Sequence, residues 1–310
     1  MRIAIMGSGA VGGYFGARLA AGGSEVTFLA RGAHLAAMRE RGLMVESPLG
    51  DVKLPQVKAS DDPSTIGPVD LVIVAVKLWD TGQAAEKIAP LVRAGASVVS
   101  FQNGVQKDEV LRRVLGEAPV MGGVCYVGAS ISGPGVIRHI GKMQRLVFGE
   151  YDGARSPRAE ALLEACRRGG IEADISSDIK RAIWEKFVFL VAMSGATTSM
   201  RRSIGPIREN PRTRAFILDL MREVVAVGRA TGVELTEDFP DQRLKFADSL
   251  PAEMTSSMHN DLERGNRLEV NWLSGSVVDI GKSVGVATPL NRAVRDILTL
   301  QADGKAAGSP

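Results

Sequence analysis

The chain opens with Arg2-Ile3-Ala4-Ile5-Met6-Gly7-Ser8-Gly9-Ala10-Val11-Gly12, and this stretch decides the fold. Arg2 to Met6 is a short apolar run stopped by glycine, which reads as a strand. Ala10 to Ala21 has helical character and is closed by Gly22-Gly23; Glu25 to Ala30, rich in Val, Thr and Phe, reads as a second strand. Strand, turn, helix and strand make one βαβ unit, with the pattern Gly7-x-Gly9-x-x-Gly12 at its turn. Glycines there let the backbone bend tightly and come close to a pyrophosphate, which the unsatisfied N–H groups of the helix N-terminus attract. Gly7, Ser8, Gly9, Ala10, Val11 and Gly12 are therefore candidate dinucleotide contacts.

Outward from this unit the alternation continues. Leu71 to Val76 is an unbroken apolar run bounded by Asp70 and Lys77, as expected of a central parallel strand covered on both faces, and Ser97 to Phe101 is another. Each ends on polar residues, Lys77 in one case and Gln102-Asn103-Gly104 in the other, where α/β sheets place their ligands. From Val120 to Asp174 the pattern predicts short strands joined by glycine-rich turns such as Ser132-Gly133-Pro134-Gly135. After about Ser176 the strand signal stops. Asp178 to Met200 reads as one helix, and Pro211 to Thr231 as another, with Phe216, Ile217, Leu220, Met221, Val224 and Val225 as its apolar stripe. Ala252 to Val284 reads as helix bent or broken near Gly265, and Gln301 to Pro310 as a loose tail. The expected architecture is an α/β, doubly wound Rossmann-type domain over residues 1–175, followed by an all-helical substrate and dimerisation domain over residues 176–310.

Composition fits this division. At 310 residues the chain has about twice the length of a usual domain, and 45% hydrophobic with 24% charged residues excludes a disordered chain. A formal charge of +3, with Lys and Arg dispersed, argues against nucleic acid as a partner. Cys125 and Cys166 lack metal-ligand spacing and read as buried free thiols, so no metal is expected. No leader and no apolar run of transmembrane length is apparent, which predicts a cytoplasmic protein without a membrane partner. The apolar second domain is compatible with a homodimer.

Two positions carry chemistry. An acid at the end of the second strand would bind the ribose hydroxyls of NAD; here the sequence is Ala30-Arg31-Gly32, and the planar donors of Arg31 suit the 2′-phosphate of NADPH. Lys186, in Trp184-Glu185-Lys186-Phe187, has Ala182, Ile183, Phe189 and Leu190 around it at helical spacing. An ammonium on such a face either snorkels to the surface or acts as the acid that a reduced carbonyl needs. His34, His139 and His259 occupy neither a strand end of the sheet nor this helix, so Lys186 is the better acid candidate. Glu269, in Arg267-Leu268-Glu269-Val270-Asn271-Trp272, reads on composition alone as a solvated helix residue, and Ser257 and Asp261 lie one helical turn apart.

Together these residues resemble the ketopantoate reductase (2-dehydropantoate 2-reductase) family. The resemblance runs in order through Gly7 to Gly12, Arg31, Val76-Lys77-Leu78-Trp79, Gln102-Asn103-Gly104-Val105, Trp184-Glu185-Lys186, Ser256-Ser257-Met258 and Glu269. It implies NADPH-dependent reduction of a 2-ketoacid, 2-dehydropantoate to D-pantoate, a step towards pantothenate. It further implies that Lys186 protonates the alkoxide and that Lys77 and Asn103 line cofactor and substrate between the domains. By the same resemblance Ser257 and Glu269 hold substrate groups or the cofactor ribose, with Glu269 counted beside Lys186 as catalytic, and Gly128 lies near the nicotinamide. The family usually carries asparagines on the helix after the lysine and in the turn beyond it. Here Leu190, Ser194 and Ile204 stand in those places, with Leu190 and Ser194 still facing substrate, so the reaction class is implied more firmly than the ketoacid. Two alternatives remain open: a related NADP-dependent hydroxyacid dehydrogenase with a less polar substrate, and a non-catalytic NADPH-binding regulatory module.

Overall fold

A computed structural model describes residues 1–305. It divides into two compact units, residues 1–103 with 107–182, and residues 104–106 with the chain from 183 onward. The first unit holds ten strands: β1 (Arg2–Met6), β2 (Glu25–Leu29), β3 (Leu43–Glu46), β4 (Val52–Leu54), β5 (Lys58–Ser60), β6 (Leu71–Val74), β7 (Ser97–Ser100), β8 (Val120–Gly133), β9 (Val136–Gly149) and β10 (Glu172–Ile175). Helices α1 (Ala10–Ala21), α2 (Gly32–Arg41), α3 (Thr81–Arg93), α4 (Lys107–Leu115) and α5 (Pro157–Arg168) accompany them. The strands form one sheet in the order β4-β3-β9-β8-β7-β6-β1-β2-β5, with β10 beside β9. Only the β3–β4 and β8–β9 pairs are antiparallel.

The central strands are apolar on both sides because both faces are covered. Ile3 and Ile5 of β1, with Leu71 and Ile73 of β6, join a core containing Phe15, Phe28, Phe101 and Phe148. The alternate residues Ala4, Met6, Val72 and Val74 enter a second core with Ile88 and Val98. A period of two thus distributes one strand between two hydrophobic layers, each fully buried large side chain contributing roughly 1.5–3 kcal/mol.

The region from Val120 to Asp174 differs from the short strands expected. It contains two 14-residue strands, β8 and β9, paired along their length. Gly122 and Gly123 inside β8 mark close approaches: a Cβ on Gly122 would lie 2.7 Å from Ile179, and one on Gly123 2.7 Å from the Ser100 carbonyl. The turn joining the two strands is at Pro134-Gly135, within the stretch Ser132 to Gly135 expected to turn, and Gly135 has φ +78°. The same region holds α5, which the strand pattern hid. Its start is encoded locally, since the Ser156 side chain accepts a hydrogen bond from the Ala159 N–H and Pro157 occupies the first turn.

The second unit is helical. It comprises α6 (Ile179–Met200), whose first turn packs with the first unit, then α7 (Ile204–Glu209), α8 (Pro211–Ala230), α9 (Phe239–Asp248), α10 (Ser257–Glu263), α11 (Ser274–Ser283) and α12 (Pro289–Leu298). Asn210 caps α8 by accepting from the N–H groups of Arg212 and Thr213. Of the expected stripe on α8, all but the partly exposed Phe216 are buried, in a core with Phe187, Val191, Val277 and Val294. No helix among the described residues is long and apolar enough to cross a membrane.

Two expectations for this unit are refined by the structure. The 252–284 segment is broken near Gly265 and not merely bent: helix starts only at Ser257, α10 ends at Glu263, Gly265 turns the chain with φ +69°, and helix resumes only at Ser274. Residues 301–305 are not loose either, because the Leu268 N–H donates to the Ala302 carbonyl at 2.8 Å and the Lys305 N–H to the Gly265 carbonyl at 2.9 Å. The remainder of the expected tail, residues 306–310, lies outside the described residues.

Candidate functional site

Strand β1 is flanked by β2 on one side and β6 on the other, in parallel register. The chain passes first to the β2 side and returns later on the β6 side, which makes the carboxyl ends of β1 and β6 the switch point where open α/β sheets bind ligands. The glycine turn lies there, held by Gly7 and Ser8 N–H groups that both donate to the Leu29 carbonyl, at 3.2 and 3.0 Å. Each glycine has a separate steric reason. Gly7 has φ +98°, and a Cβ on it would lie 2.7 Å from Val76; a Cβ on Gly12 would run into the Gly7 carbonyl. Gly9 is different, since a Cβ there meets no atom within 4 Å. Gly9 therefore leaves open space beside the backbone. Helix α1 starts without a side-chain cap and without an acid in its first turn, so its first N–H groups remain for an anion. These features fit a dinucleotide pyrophosphate.

Around this turn the structure gathers Arg31, Lys77 and Gln102. Arg31 follows β2 as the cap residue of α2, and its exposed guanidinium lies 3.7 Å from the Asp80 carboxylate. Lys77 follows β6, its ammonium 5.7 Å from the Trp79 ring centre. Buried Gln102 ties the ends of the two neighbouring strands together, donating to the Val76 carbonyl at 2.9 Å and to Thr81 Oγ1 at 2.8 Å while accepting from Ser100 Oγ at 2.9 Å. Asn103, the next residue, is half-buried. Gly128 lies elsewhere along the sheet, in the part of β8 beyond its pairing with β7, at an irregularity opposite β9. His34 is closer to the turn than its helix position suggests. Its Nδ1 accepts from the Gly135 N–H at 3.1 Å, and burial lowers its pKa against the opposing pull of the Ser8 backbone.

In the second unit, Lys186, Leu190 and Ser194 repeat every four residues along one line of α6, spanning about 12 Å. Lys186 and Leu190 are half-buried, and Ser194 is fully buried. The Ser194 hydroxyl has no hydrogen-bond partner, nor do those of Thr198, one turn further on, and Ser274 at the start of α11. Polar groups buried this way cost about 1–3 kcal/mol each unless a water or a ligand group satisfies them. Ile204 lies fully buried in the apolar core. Ser257 is exposed in the first turn of α10. Glu269 overturns the expectation of a solvated helix residue: it is 6% exposed and lies in the non-helical segment between α10 and α11.

A hydrogen-bonded clamp holds α10 to α6. Thr197 Oγ1 donates to the Met193 carbonyl at 2.7 Å and lies 2.9 Å from Ser256 Oγ. Ser256 Oγ accepts the His259 N–H at 3.0 Å, and His259 Nδ1 lies 2.8 Å from the Thr197 carbonyl. The clamp thereby fixes Ser257, its neighbour, relative to the helix of Lys186. Sequence reasoning missed it, although Ser256 three residues before His259 is a recognisable cap signal; the long-range partner on α6 had no local signature.

With the geometry in place, the first unit defines a dinucleotide-binding type of fold, followed in the chain by a helical unit. The family model "Ketopantoate reductase PanE/ApbA" matches residues 3–153, and its C-terminal companion matches residues 178–302. The chain belongs to the ketopantoate reductase family. It is 33% identical to the 2-dehydropantoate 2-reductase of Halobacterium salinarum over 98% of this chain and 100% of that one. The crystal structure of 2-dehydropantoate 2-reductase from Geobacter metallireducens superposes with a TM-score of 0.90, at 32% identity, covering 97% of this chain and 99% of that chain. A D-mandelate dehydrogenase solved with NADH and anilino(oxo)acetate shares the fold, with a TM-score of 0.89 at 22% identity and coverage of 97% and 98%.

Proposed function

We propose that the protein reduces a 2-ketoacid to the 2-hydroxyacid with NADPH, and that 2-dehydropantoate is the leading substrate, placing it in pantothenate synthesis. The observation that carries the reading is Lys186, half-buried on α6 in a chain whose two halves both match the family. NADPH, when bound, supplies the hydride. The first unit holds it: the backbone from Gly7 to Gly12 takes the pyrophosphate, Arg31 the 2′-phosphate, and Lys77 and Asn103 the groups nearer the reacting end. Gly128 is assigned to the nicotinamide side through the resemblance alone.

In the second unit, the Lys186 ammonium donates a proton to the substrate oxygen as the carbonyl becomes an alkoxide, and its charge favours that developing anion. Ser257 binds the substrate carboxylate, and Glu269 accepts from a substrate hydroxyl. The Ser194 hydroxyl still has a hydrogen bond to offer, whereas Leu190 presents only an apolar surface. This pairing supports a second reading within the same chemistry, a ketoacid less polar than 2-dehydropantoate.

The test is steady-state NADPH oxidation with 2-dehydropantoate against a panel of bulkier, less polar 2-ketoacids. Turnover with at least one panel member supports the reductase, and the ranking assigns the substrate. Tight NADPH binding with no oxidation by any ketoacid would contradict it and favour a regulatory module.

A further inference from the structure

Asp80 is the last residue of the short helical turn Leu78–Asp80 that follows β6, and α3 begins immediately after it. Its carboxylate reaches Arg31, which follows β2. Since β2 and β6 flank β1 on opposite sides, the ion pair spans the carboxyl end of the strand that leads into the glycine turn. Asp80 makes no side-chain cap on α3, so helix capping does not account for its position.

We propose that Asp80 is a specificity-determining residue for the coenzyme, competing with the 2′-phosphate for Arg31 and so narrowing the preference for NADPH over NADH. The proposal rests on the reading of Arg31 as the phosphate ligand. A phosphate paired with that guanidinium brings up to two negative charges close to a carboxylate that lies 3.7 Å from the same group. The repulsion acts on NADPH alone. The ribose of NADH presents a neutral hydroxyl there, which a carboxylate can accept from, as acids at the end of the second strand do in NAD-binding folds. The Arg31 and Asp80 side chains are 58% and 32% exposed, so the effect is that of charges in near-bulk solvent: at about 6 Å, a dianion and a carboxylate alter affinity by about tenfold at low salt, less as salt screens them.

The experiment measures the dissociation constants of NADPH and NADH for the wild type, Asp80→Asn and Arg31→Ala at low and high salt. Asp80→Asn keeps size and shape while removing the charge. It is expected to raise the NADPH-to-NADH affinity ratio about three- to tenfold at low salt, with the gain shrinking at high salt, whereas Arg31→Ala lowers the ratio. Asp80→Asn with an unchanged or lowered ratio, beside a clear loss in Arg31→Ala, overturns the proposal while the reading of Arg31 stands. An unchanged ratio in Arg31→Ala overturns that reading, and the proposal with it.

Discussion

The two units build their candidate residues from different material. In the first unit the proposed coenzyme contacts are backbone: the turn after β1 is shaped by what its glycines lack, with Gly7 and Gly12 packed against protein atoms and Gly9 facing open space. In the second unit the proposed substrate contacts are side chains of a regular helix, with Lys186, Leu190 and Ser194 four residues apart on α6. A backbone cradle admits almost no substitution and accepts any dinucleotide pyrophosphate. A helix face accepts one change at a time without disturbing its scaffold, so the reaction class and the substrate can diverge separately.

The contrast can be broken most forcefully at Lys186. Lys186→Ala is expected to lower kcat about 10²- to 10⁴-fold, the usual worth of a positioned general acid, while the dissociation constant for NADPH changes little. Stopped-flow turnover with a matched binding titration checks this, and an unaltered kcat would remove the lysine from the chemistry. Leu190→Asn sharpens the contrast. If 2-dehydropantoate is the substrate, restoring an amide on this face adds a hydrogen bond worth about 1–3 kcal/mol and raises kcat/KM about five- to a hundredfold. If the natural substrate is less polar, the same change lowers kcat/KM for that ketoacid. The variant should stay folded at a modest cost in stability, since Leu190 is half-buried and packs against the edge of the core.

A smaller effect concerns the coenzyme side. Burial lowers the pKa of His34 below its ordinary 6.5, so on acidification the unfolded chain takes up a proton that the folded one resists. The stability associated with neutral His34 is complete above pH 6.5 and is lost as the pH falls below it. Thermal unfolding of His34→Gln is therefore expected to depend less steeply on pH than that of the wild type from about pH 7.5 to 5.5. Equal slopes would show that the histidine does not titrate with folding.

The backbone side was the legible one. Glycines required by sterics at fixed spacing, bounded by a strand and a helix, carry their own context, and β1 and α1 occupy the residues read from the sequence. The long apolar runs of β6 and β7 announced their double burial, ending a residue or two early where the chain turns toward the site. The misreadings share a cause, which is that local pattern does not reveal what a residue packs against. Val120 to Asp174 read as short strands because nothing local shows that Gly122 and Gly123 are required by Ile179 and the Ser100 carbonyl, which approach from distant sequence. Glu269 read as solvated because nothing near it in sequence shows that its segment leaves the helix and is anchored by Ala302. The Thr197–Ser256–His259 clamp joins positions some sixty residues apart, beyond any periodicity.

The most direct test of the account is a titration of NADPH into Gly9→Val. In the free protein a side chain at this position has room, because no atom lies within 4 Å of a Cβ there, and its φ of −73° is negative, unlike that of Gly7. The variant should fold with a small loss of melting temperature, because Gly9 is the cap residue of α1 and valine caps less well, and bind NADPH about tenfold more weakly or worse, since the added methyls fill the approach to the pyrophosphate. An unchanged dissociation constant in a folded Gly9→Val protein would mean that the coenzyme does not rest on this turn.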